Sequence, residues 1–377
     1  MKTPAYIFDT DVFHKRIRDV KSVLKDIPLV YSIKANPFLI PYIPEEIKHL
    51  EVCSPGELAL CRELKVPGER IIYSGVMKEA WDIDEALSYG VDIITAESIR
   101  HYELIKEAAV RRGQKTEILP RLSAGNQFGM SEDDLLRVVK DAASCGLLHI
   151  KGVHYYSGTA KGMKQIEKDL ARLEAALVRL KEEGGFECGL LEYGPGLASE
   201  CFAGSEELCE KKDHELLDAV APLIEGLNEK YPLSIEMGRF LTTSCGIYET
   251  AVMDIKSTEG VSYLIVDGGM HHIKYYGQNM AMKVPVIEHE GMGDPAEYTV
   301  CGSLCTTADV LARNVSLRGV RAGNVLRFRR AGAYAVTEAS VLFLSRRMPE
   351  IYAQSEKDGL VQLRGPAESY GINKPLT

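Results

Sequence analysis

The segment LVYSIKANP, residues 29–37, places a lysine at the end of a short apolar run. Residues 29–33 have the composition of a buried β-strand, and Asn36 followed by Pro37 is a turn signal that ends it. An ammonium group in apolar surroundings is costly unless it is paired, neutralised or used covalently. Lys34 is therefore the first candidate for chemistry in this chain.

Segments of this kind alternate with helical patterns along the first two-thirds of the chain. The longest helical pattern, GMKQIEKDLARLEAALVRLKEE at residues 162–183, carries leucines at three- and four-residue spacing on one side. Strand–helix alternation repeated eight times is typical of a parallel barrel, so we predict an α/β fold with a (β/α)8 TIM-type barrel over residues 11–240. The eight predicted strands span residues 29–34, 50–54, 71–75, 92–95, 117–122, 150–157, 190–194 and 233–238.

After about residue 240 the pattern changes to β-like runs between glycine-rich turns. Examples are VSYLIVDGG at residues 261–269 and PAEYTVCGSLC at residues 295–305. We therefore predict an all-β C-terminal domain over residues 241–377, to which residues 1–10 add a strand.

Composition and charge exclude several classes of function. The net charge of −9 argues against nucleic acid or an anionic membrane as the main partner. The N-terminus lacks the pattern of a signal peptide and no apolar run is long enough to cross a bilayer, so we expect a cytoplasmic protein. The nine cysteines have no framework spacing, which suits free thiols. Cys301 and Cys305 have no second pair at zinc-ligand spacing, and we predict no metal site.

Polar residues and glycines cluster where the predicted strands end, which is where barrel enzymes carry out their chemistry. In EYGPGLA, Gly194 and Gly196 allow backbone N–H groups to approach an anion such as phosphate. In EMGR, Glu236 can pair with a ring N–H, and Arg239 can hold a phosphate or carboxylate. Desolvation of Lys34 favours the neutral amine, which is the nucleophile that forms a Schiff base.

Each of these features alone also fits a simpler role, namely a tight turn, a surface ion pair or a lysine that reaches solvent. Their combination is more specific. A Schiff-base lysine, anion-binding glycines, a carboxylate for a pyridine nitrogen and a phosphate-holding arginine together indicate pyridoxal 5'-phosphate as cofactor.

The order of the motifs resembles the fold-type III pyridoxal-phosphate decarboxylases, the diaminopimelate/ornithine decarboxylase family. The resemblance covers essentially the whole chain. The motifs that carry it are YSIKAN (31–36), EVCSPGELAL (51–60), YSGVMK (73–78), QFGM (127–130), GVHYYSGTA (152–160), YGPGLA (193–198), EMGR (236–239), CGSLCTTADVLAR (301–313) and GAYAVTEAS (332–340).

The resemblance implies roles for individual residues. Lys34 would carry the Schiff base, and Cys305 would reach into the partner subunit's site of a homodimer. Cys305 would return a proton to Cα, and Lys34 is the alternative donor of that proton. The cofactor-binding residues it implies are Lys34, Ser54, Tyr156, Ser157, Gly194, Gly196, Glu236, Gly238, Arg239 and Tyr334. The substrate-binding candidates are Arg239, Thr306, His271, Lys274 and Tyr334.

Several positions depart from the family pattern. Tyr156 stands where a histidine commonly stacks on the cofactor, which keeps an aromatic face but loses a titratable nitrogen. Met237 replaces the usual proline. Thr306 follows Cys305 where the diaminopimelate and ornithine enzymes place an acidic residue that recognises the distal amine of the substrate. Lys274 is only a partial substitute for the arginine that would meet a second carboxylate.

These departures favour a small amino-acid substrate whose distal end is masked. They are similar to family members in natural-product or siderophore pathways, including the decarboxylase of carrier-protein-bound glutamate in aminoglycoside biosynthesis. We therefore expect decarboxylation at the α-carboxylate of an amino acid that is tethered or distally masked. Three alternatives stay open: a diaminopimelate decarboxylase of lysine biosynthesis, a pyridoxal-phosphate-dependent amino-acid racemase, and a non-catalytic decarboxylase-like regulator. Glu236 argues against the racemase, and retention of Lys34, Cys305 and Tyr334 argues against the regulator.

Other residues have simpler interpretations. His154, within a strand, is predicted to be a core histidine. The pair Arg329–Arg330 is predicted to lie on a solvated face. His271 and His272 face the substrate or form a surface pair, and the alternative for Cys305 is a small buried hydrophobe.

Overall fold

The computed structural model describes residues 1–278 and 281–375. Its α-helices are α1 (Thr10–Leu24), α2 (Pro55–Glu63), α3 (Ala80–Tyr89), α4 (Ile99–Arg112), α5 (Glu132–Ala142), α6 (Met163–Gly184), α7 (Glu206–Asn228), α8 (Arg239–Thr242) and α9 (Tyr370–Asn373). Its strands are β1 (Ala5–Asp9), β2 (Leu29–Ser32), β3 (Ile47–Val52), β4 (Ile71–Tyr73), β5 (Ile93–Ala96), β6 (Thr116–Pro120), β7 (Leu148–Ile150), β8 (Val153–Tyr156), β9 (Leu191–Gly194), β10 (Leu233–Met237), β11 (Gly246–Thr258), β12 (Val261–Val266), β13 (Ile287–Glu288), β14 (Pro295–Cys301), β15 (Val310–Arg318), β16 (Val325–Phe328), β17 (Glu350–Ser355) and β18 (Gly359–Arg364).

The chain divides into two compact units, which we call the barrel unit and the β unit. The barrel unit comprises Asp19–Ala198 and Glu215–Gly238, and the β unit comprises Met1–Arg18, Ser199–His214 and Arg239–Thr377. Among the described residues, no helix combines the length and the apolar character needed to cross a membrane.

The barrel unit is built on one parallel sheet of nine strands. Their order across the sheet is β7-β6-β5-β4-β3-β2-β10-β9-β8. An isolated parallel bridge links Arg121, directly after β6, with His154 on β8, so the sheet nearly closes on itself. The predicted α/β fold with a TIM-type barrel is therefore confirmed.

The predicted count of eight barrel strands is wrong by one. The predicted strand over residues 150–157 is divided, because β7 pairs with β6 whereas β8 pairs with β9. Gly152 lies at the division, and a Cβ there would lie 1.6 Å from the carbonyl oxygen of Leu190. The first barrel strand also ends earlier than predicted, at Ser32, so that Lys34 lies in the 3-10 turn Ile33–Ala35.

Apolar side chains fill the space around and between the barrel strands. Val30, Ile72, Ile93 and Leu119 form a buried cluster from four of the strands. The leucines of α6 at positions 170, 173, 177 and 180 are all buried, which confirms the apolar face that the sequence predicts for this helix. Burial of such faces at about 25 cal/mol per Å² of apolar surface is what holds the helices against the sheet.

The β unit contains a mixed sheet of nine strands. Its main path is β15-β14-β12-β11-β1-β17-β18, and β13 and β16 join it at the side. Strand β1, near the N-terminus, lies between β11, to which it is antiparallel, and β17, to which it is parallel. The sheet thus combines strands from both ends of the chain.

Arg330 is completely buried within the β unit, and the prediction of a solvated face is wrong for it. Its guanidinium lies 2.7 Å from Glu206 and 2.6 Å from Glu210, and it also bonds to Asp213. Arg16 shares the carboxylates of Glu210 and Asp213. Sequence spacing could not show this arrangement, because three carboxylates from the first two turns of α7 meet a guanidinium more than a hundred residues away.

Candidate active site

The ammonium of Lys34 is paired, not desolvated. Its Nζ lies 2.6 Å from Oε2 of Glu51 and 3.3 Å from Sγ of Cys53, and its side chain is 37% exposed. Glu51 lies on β3, where it is in register with Ser32 at the end of β2. The surroundings of Lys34 are thus not apolar, because a neighbouring strand supplies the opposite charge, and the neutral amine stays a prediction.

Glu236, on β10, accepts two hydrogen bonds inside the barrel. Ser32 Oγ donates to its Oε1 at 2.8 Å, and His154 Nε2 donates to its Oε2 at 3.0 Å. Burial alone would raise the pKa of Glu236, but the charge of Lys34, 4.0 Å away, and these two hydrogen bonds hold that pKa below its usual range. Glu236 is thus an ionised carboxylate in a buried position.

His154 is buried, as the prediction of a core histidine requires, but it does more than fill space. Because a carboxylate can only accept, the bond to Glu236 requires the proton of the imidazole to lie on Nε2. This bond orients the carboxylate of Glu236 from the side of β8.

Glu192 lies beside this pair and is completely buried. It is in register with His154 across β8 and β9, and ligating atoms of Glu192, His154 and Glu236 all lie within 4.8 Å of one another. Burial raises the pKa of Glu192 well above its ordinary value, and the charges of Glu236 and Glu51 raise it further. Since a metal would have to displace that proton close to the ammonium of Lys34, we assign no metal to these residues.

A cavity of about 260 Å³ opens within the barrel unit beside Lys34 and Glu236. Three residues that the sequence predicts for the cofactor line it together, namely Lys34, Tyr156 and Glu236. The remaining lining residues are Glu51, Cys53, Gly75, Val76, Glu97, Arg121, Phe128 and His154. The cavity therefore presents an amine, an aromatic ring and an ionised carboxylate to the same small volume.

The glycine segment after β9 lies against the segment that follows β8. A Cβ on Gly194 would lie 2.7 Å from Cδ2 of Tyr156. Gly196 has a φ of +58°, and a Cβ there would lie 1.9 Å from the carbonyl oxygen of Gly158. Both positions require glycine, which leaves their backbone open to close approach by another group.

Three other predicted cofactor residues of the barrel unit make contacts within the protein: Ser157 and Ser54 are hydrogen-bonded, and Gly238 lies close to a neighbouring turn. Ser157 Oγ donates to Asp169 at 2.7 Å and accepts from Lys161 Nζ at 2.6 Å. Ser54 Oγ caps α2, since it accepts from a backbone N–H in the first turn of that helix. A Cβ on Gly238 would lie 2.9 Å from the turn that carries Lys34. Cofactor contacts of these three residues stay predictions.

Arg239 lies between two aromatic rings of the β unit. Its guanidinium carbon is 4.8 Å from the ring centroid of Tyr276 and 4.6 Å from that of Tyr334. Tyr334 has a φ of +61°, a strained conformation for a residue with a side chain. The stacking fixes the plane of the guanidinium, and the phosphate and substrate roles of Arg239 and Tyr334 stay predictions.

Cys305 is exposed, so the alternative of a small buried hydrophobe is wrong. Thr306, beside it, accepts a hydrogen bond from the backbone of Ala308 at 3.3 Å. Asp309 holds the base of this loop, because its carboxylate accepts from the backbone N–H groups of Met270 at 2.7 Å and Leu304 at 2.8 Å. The catalytic and substrate roles of Cys305 and Thr306 are untested by this geometry.

The histidine pair of the β unit is buried, and its interpretation as a surface pair is wrong. His271 is 1% exposed, and its ring centroid lies 3.7 Å from that of His272. Burial lowers the pKa of His271 to about 3 and that of His272 to about 4. Lys274 lies 3.6 Å from Glu338. The predicted contacts of His271 and Lys274 with substrate stay predictions.

The structure adds residues that the sequence did not single out as site residues. Glu51 pairs with Lys34, and Glu192 lies beside Glu236. Arg121 donates to Glu97 at 2.7 Å and to the carbonyl oxygen of Tyr156 at 3.1 Å. The available signal was an acidic residue inside an apolar strand, as in LEVCS and LLEYG, because a buried carboxylate requires a partner or a proton.

A barrel with a lysine amine and a buried carboxylate at one cavity is the arrangement expected of an enzyme that binds an aldehyde cofactor through a Schiff base. Similarity to known proteins identifies the family. Residues 10–243 match the family model described as the pyridoxal-binding domain of pyridoxal-dependent decarboxylases. The chain belongs to this family and is a pyridoxal-phosphate-dependent amino-acid decarboxylase. The residues present fit the cofactor, since the cavity offers the amine and the carboxylate, and Gly194 and Gly196 form a cradle that a Cβ would fill.

Relatives extend over almost the full chain. The L-glutamyl-[BtrI acyl-carrier protein] decarboxylase of Niallia circulans is 28% identical, over 97% of this chain and 92% of the relative. The 2-[(L-alanin-3-ylcarbamoyl)methyl]-2-hydroxybutanedioate decarboxylase of Staphylococcus aureus is 26% identical, over 94% of each chain. The diaminopimelate decarboxylase of Aquifex aeolicus is 25% identical, over 98% and 90%. The structure of diaminopimelate decarboxylase from M. jannaschii with L-lysine has a TM-score of 0.87, at 21% identity over 100% and 92% of the chains, and shows the fold.

Proposed function

We propose that this protein removes the α-carboxylate of an amino acid whose distal end is masked, with pyridoxal phosphate held covalently by Lys34. The observation that carries the proposal is the cavity in which the Lys34 amine and the ionised Glu236 lie together. When bound, the cofactor supplies a sink for the electron pair that departing CO2 leaves behind.

Each residue of the cavity contributes a separate function. Glu51, 2.6 Å from Nζ, orients the amine of Lys34 and accepts its proton. Glu236 keeps a proton on the pyridine nitrogen, and a negative charge held by two hydrogen bonds suits this task. Tyr156 offers an aromatic face to the cofactor ring, and the backbone of Gly194 and Gly196 binds its phosphate.

The other residues for which we propose a role belong to the β unit. Cys305 is exposed, and its thiol returns a proton to Cα, in the neighbouring subunit of a homodimer. Arg239, with its plane fixed by two rings, holds the phosphate or the substrate carboxylate. His271, Lys274 and Tyr334 are the further substrate-binding candidates.

The masked substrate is proposed from Thr306 and from the relatives. A neutral hydroxyl beside Cys305 offers no charge-assisted pairing to a free distal ammonium. Two of the relatives are named for substrates in which an amino acid is joined to a larger group, one of them a carrier protein. The second candidate function is diaminopimelate decarboxylation, which the Aquifex aeolicus relative favours.

Mass spectrometry of products tests this choice. The protein loaded with pyridoxal phosphate is incubated with diaminopimelate, with free glutamate and with glutamate on an acyl-carrier protein. We expect loss of one CO2 from the tethered amino acid at the highest rate. Fast loss of CO2 from diaminopimelate refutes the masked substrate and leaves the reaction class intact.

The Thr306→Glu variant tests the residue behind the proposal. A carboxylate at this position can pair with a free distal ammonium, so we expect about tenfold better use of diaminopimelate relative to the tethered substrate. Thr307→Glu is the matched control, because it adds the same charge one position further along the loop. An equal change in both variants contradicts a specific role for Thr306.

A further inference from the structure

The carboxyl group of Glu192 is buried without a hydrogen-bond donor. Neither of its oxygens has a hydrogen-bond partner among the described residues. An ionised carboxylate in such a place is strongly disfavoured, because its two oxygens need donors once water is excluded. A protonated carboxyl group carries its own donor and needs only an acceptor.

The charged and titratable groups that act on Glu192 come from four neighbouring strands of the barrel. Glu236 lies on β10, His154 on β8, Glu51 on β3, and Lys34 follows β2. Lys34 is bonded to Glu51 at 2.6 Å, and the Nε2–H of His154 is bonded to Glu236. Neither Lys34 nor His154 donates to Glu192 among the described residues. Of the two neighbouring carboxylates, Glu236 and Glu51, it is Glu236 that has an oxygen within 4.8 Å of a Glu192 oxygen.

Glu236 has the capacity to accept a third hydrogen bond. Each of its oxygens accepts one bond, from Ser32 or from His154, and a carboxylate offers about four lone-pair positions. One carboxyl oxygen of Glu236 lies no more than 4.8 Å from one of Glu192. A hydrogen bond requires the two oxygens to approach to about 3 Å, so the Glu192 side chain must rotate for the bond to form.

We propose that Glu192 is protonated at neutral pH and donates its proton to the carboxylate of Glu236, so that the two buried carboxyl groups carry one negative charge between them. Glu192 is then a positioning residue, since it acts on the reaction through Glu236. This role rests on the proposed function, in which Glu236 faces the pyridine nitrogen. A second negative charge at this place would compete with Glu236 for the proton that Glu236 must hold on the ring.

The protonation state is tested first by infrared spectroscopy of the full chain at pH 7. A protonated carboxyl group has a carbonyl stretch separate from the carboxylate bands. We expect the difference spectrum between the wild-type protein and Glu192→Gln to show the loss of one such band. Glu210→Gln is the matched control, because its carboxylate is bonded to two arginines and should contribute a carboxylate band only. Absence of the carboxylic-acid band from the Glu192→Gln difference overturns the proposal.

The positioning role is tested by two variants of similar size. Glu192→Gln keeps a neutral donor, so we expect cofactor affinity, kcat and the pH profile of the cofactor absorbance to stay within about twofold of wild type. Glu192→Leu removes the donor, so we expect kcat to fall about tenfold or more with little change in KM, since a hydrogen bond to a charged group is lost. Rescue by Gln and failure of Leu support the role. A change in the pH profile of Glu192→Gln, or full activity of Glu192→Leu, overturns it.

Failure of this inference and failure of the proposed function give different results. The infrared measurement needs neither cofactor nor substrate. If wild-type protein does not bind pyridoxal phosphate, the proposed function fails whatever the protonation state of Glu192. If the cofactor binds and CO2 is released but the carboxylic-acid band is missing, only the inference on Glu192 fails.

Discussion

Replacing Gly196 by alanine should damage the cofactor cradle more than it damages the fold. Two costs add at this position. The residue has a φ of +58°, which costs an alanine about 1 kcal/mol. The new Cβ would also lie 1.9 Å from the carbonyl oxygen of Gly158, and ordinary contact begins near 3.4 Å, so one of the two segments must move by about 1.5 Å.

Gly185 provides the matched control. It has a φ of +63° at the C-terminal end of α6, and nothing lies within 4 Å of the position of its Cβ. Gly185→Ala therefore carries the backbone cost of about 1 kcal/mol alone. Gly196→Ala carries the same cost and a steric cost of about 1–3 kcal/mol, which is typical of overpacking.

The two variants are compared by urea unfolding and by titration of the cofactor-free protein with pyridoxal phosphate, followed by absorbance. We expect Gly185→Ala to bind the cofactor with wild-type affinity. We expect Gly196→Ala to bind at least about tenfold more weakly, which corresponds to about 1.4 kcal/mol. Equal cofactor affinity in the two variants would refute the assignment of this glycine segment to the phosphate.

Two further predictions concern the β unit. Arg330→Met leaves the buried carboxylate of Asp213 and the partly exposed one of Glu210 without their second arginine. It should lower the free energy of unfolding by about 3–5 kcal/mol, measured by urea unfolding at pH 7. Arg329→Met, whose nearest carboxylate oxygen is 3.5 Å away, is the control and should change it by less than about 1 kcal/mol. For His271, burial lowers the pKa in the folded state to about 3, below the unfolded value near 6.5, so the unfolded state takes up more protons and stability is lost as the pH falls below 6.5. Between pH 7 and pH 5 the contribution of His271 is about 2 kcal/mol, so the loss of stability should be smaller by that amount in His271→Asn, while the contribution of His272 remains; a loss equal to that of the wild type would refute the assignment.

The order of elements and the lysine that lines the cavity could be predicted from the sequence. Apolar runs such as residues 29–33 and the leucines of α6 report burial directly, because the period of the pattern is the period of the backbone. Lys34, Glu236, Gly194 and Gly196 stood out for a related reason: charged residues and glycines at the end of an apolar strand are unfavourable unless something uses them.

The partners of these residues could not be predicted in the same way. The pairing of Lys34 with Glu51 depends on the register between β2 and β3, and a shift by one residue would turn Glu51 away from the barrel interior. His154 and Glu192 meet Glu236 because three strands, separated by long helical segments, lie side by side. The burial of Arg330 could not be predicted either, because the carboxylates that surround it are more than a hundred residues away in the sequence.

The sequence by itself therefore determined which segments are strands and helices, and which side chains are too costly to bury without a function. Only the tertiary structure decided the surroundings of the charged groups at the cavity: that Lys34 pairs with Glu51, that Glu236 accepts two hydrogen bonds, and that Glu192 is buried without a donor. The physical reason is distance. Local patterns depend on neighbours in the chain, whereas the charge state of a buried group depends on every donor and acceptor within a few ångströms, and these come from strands far apart in sequence.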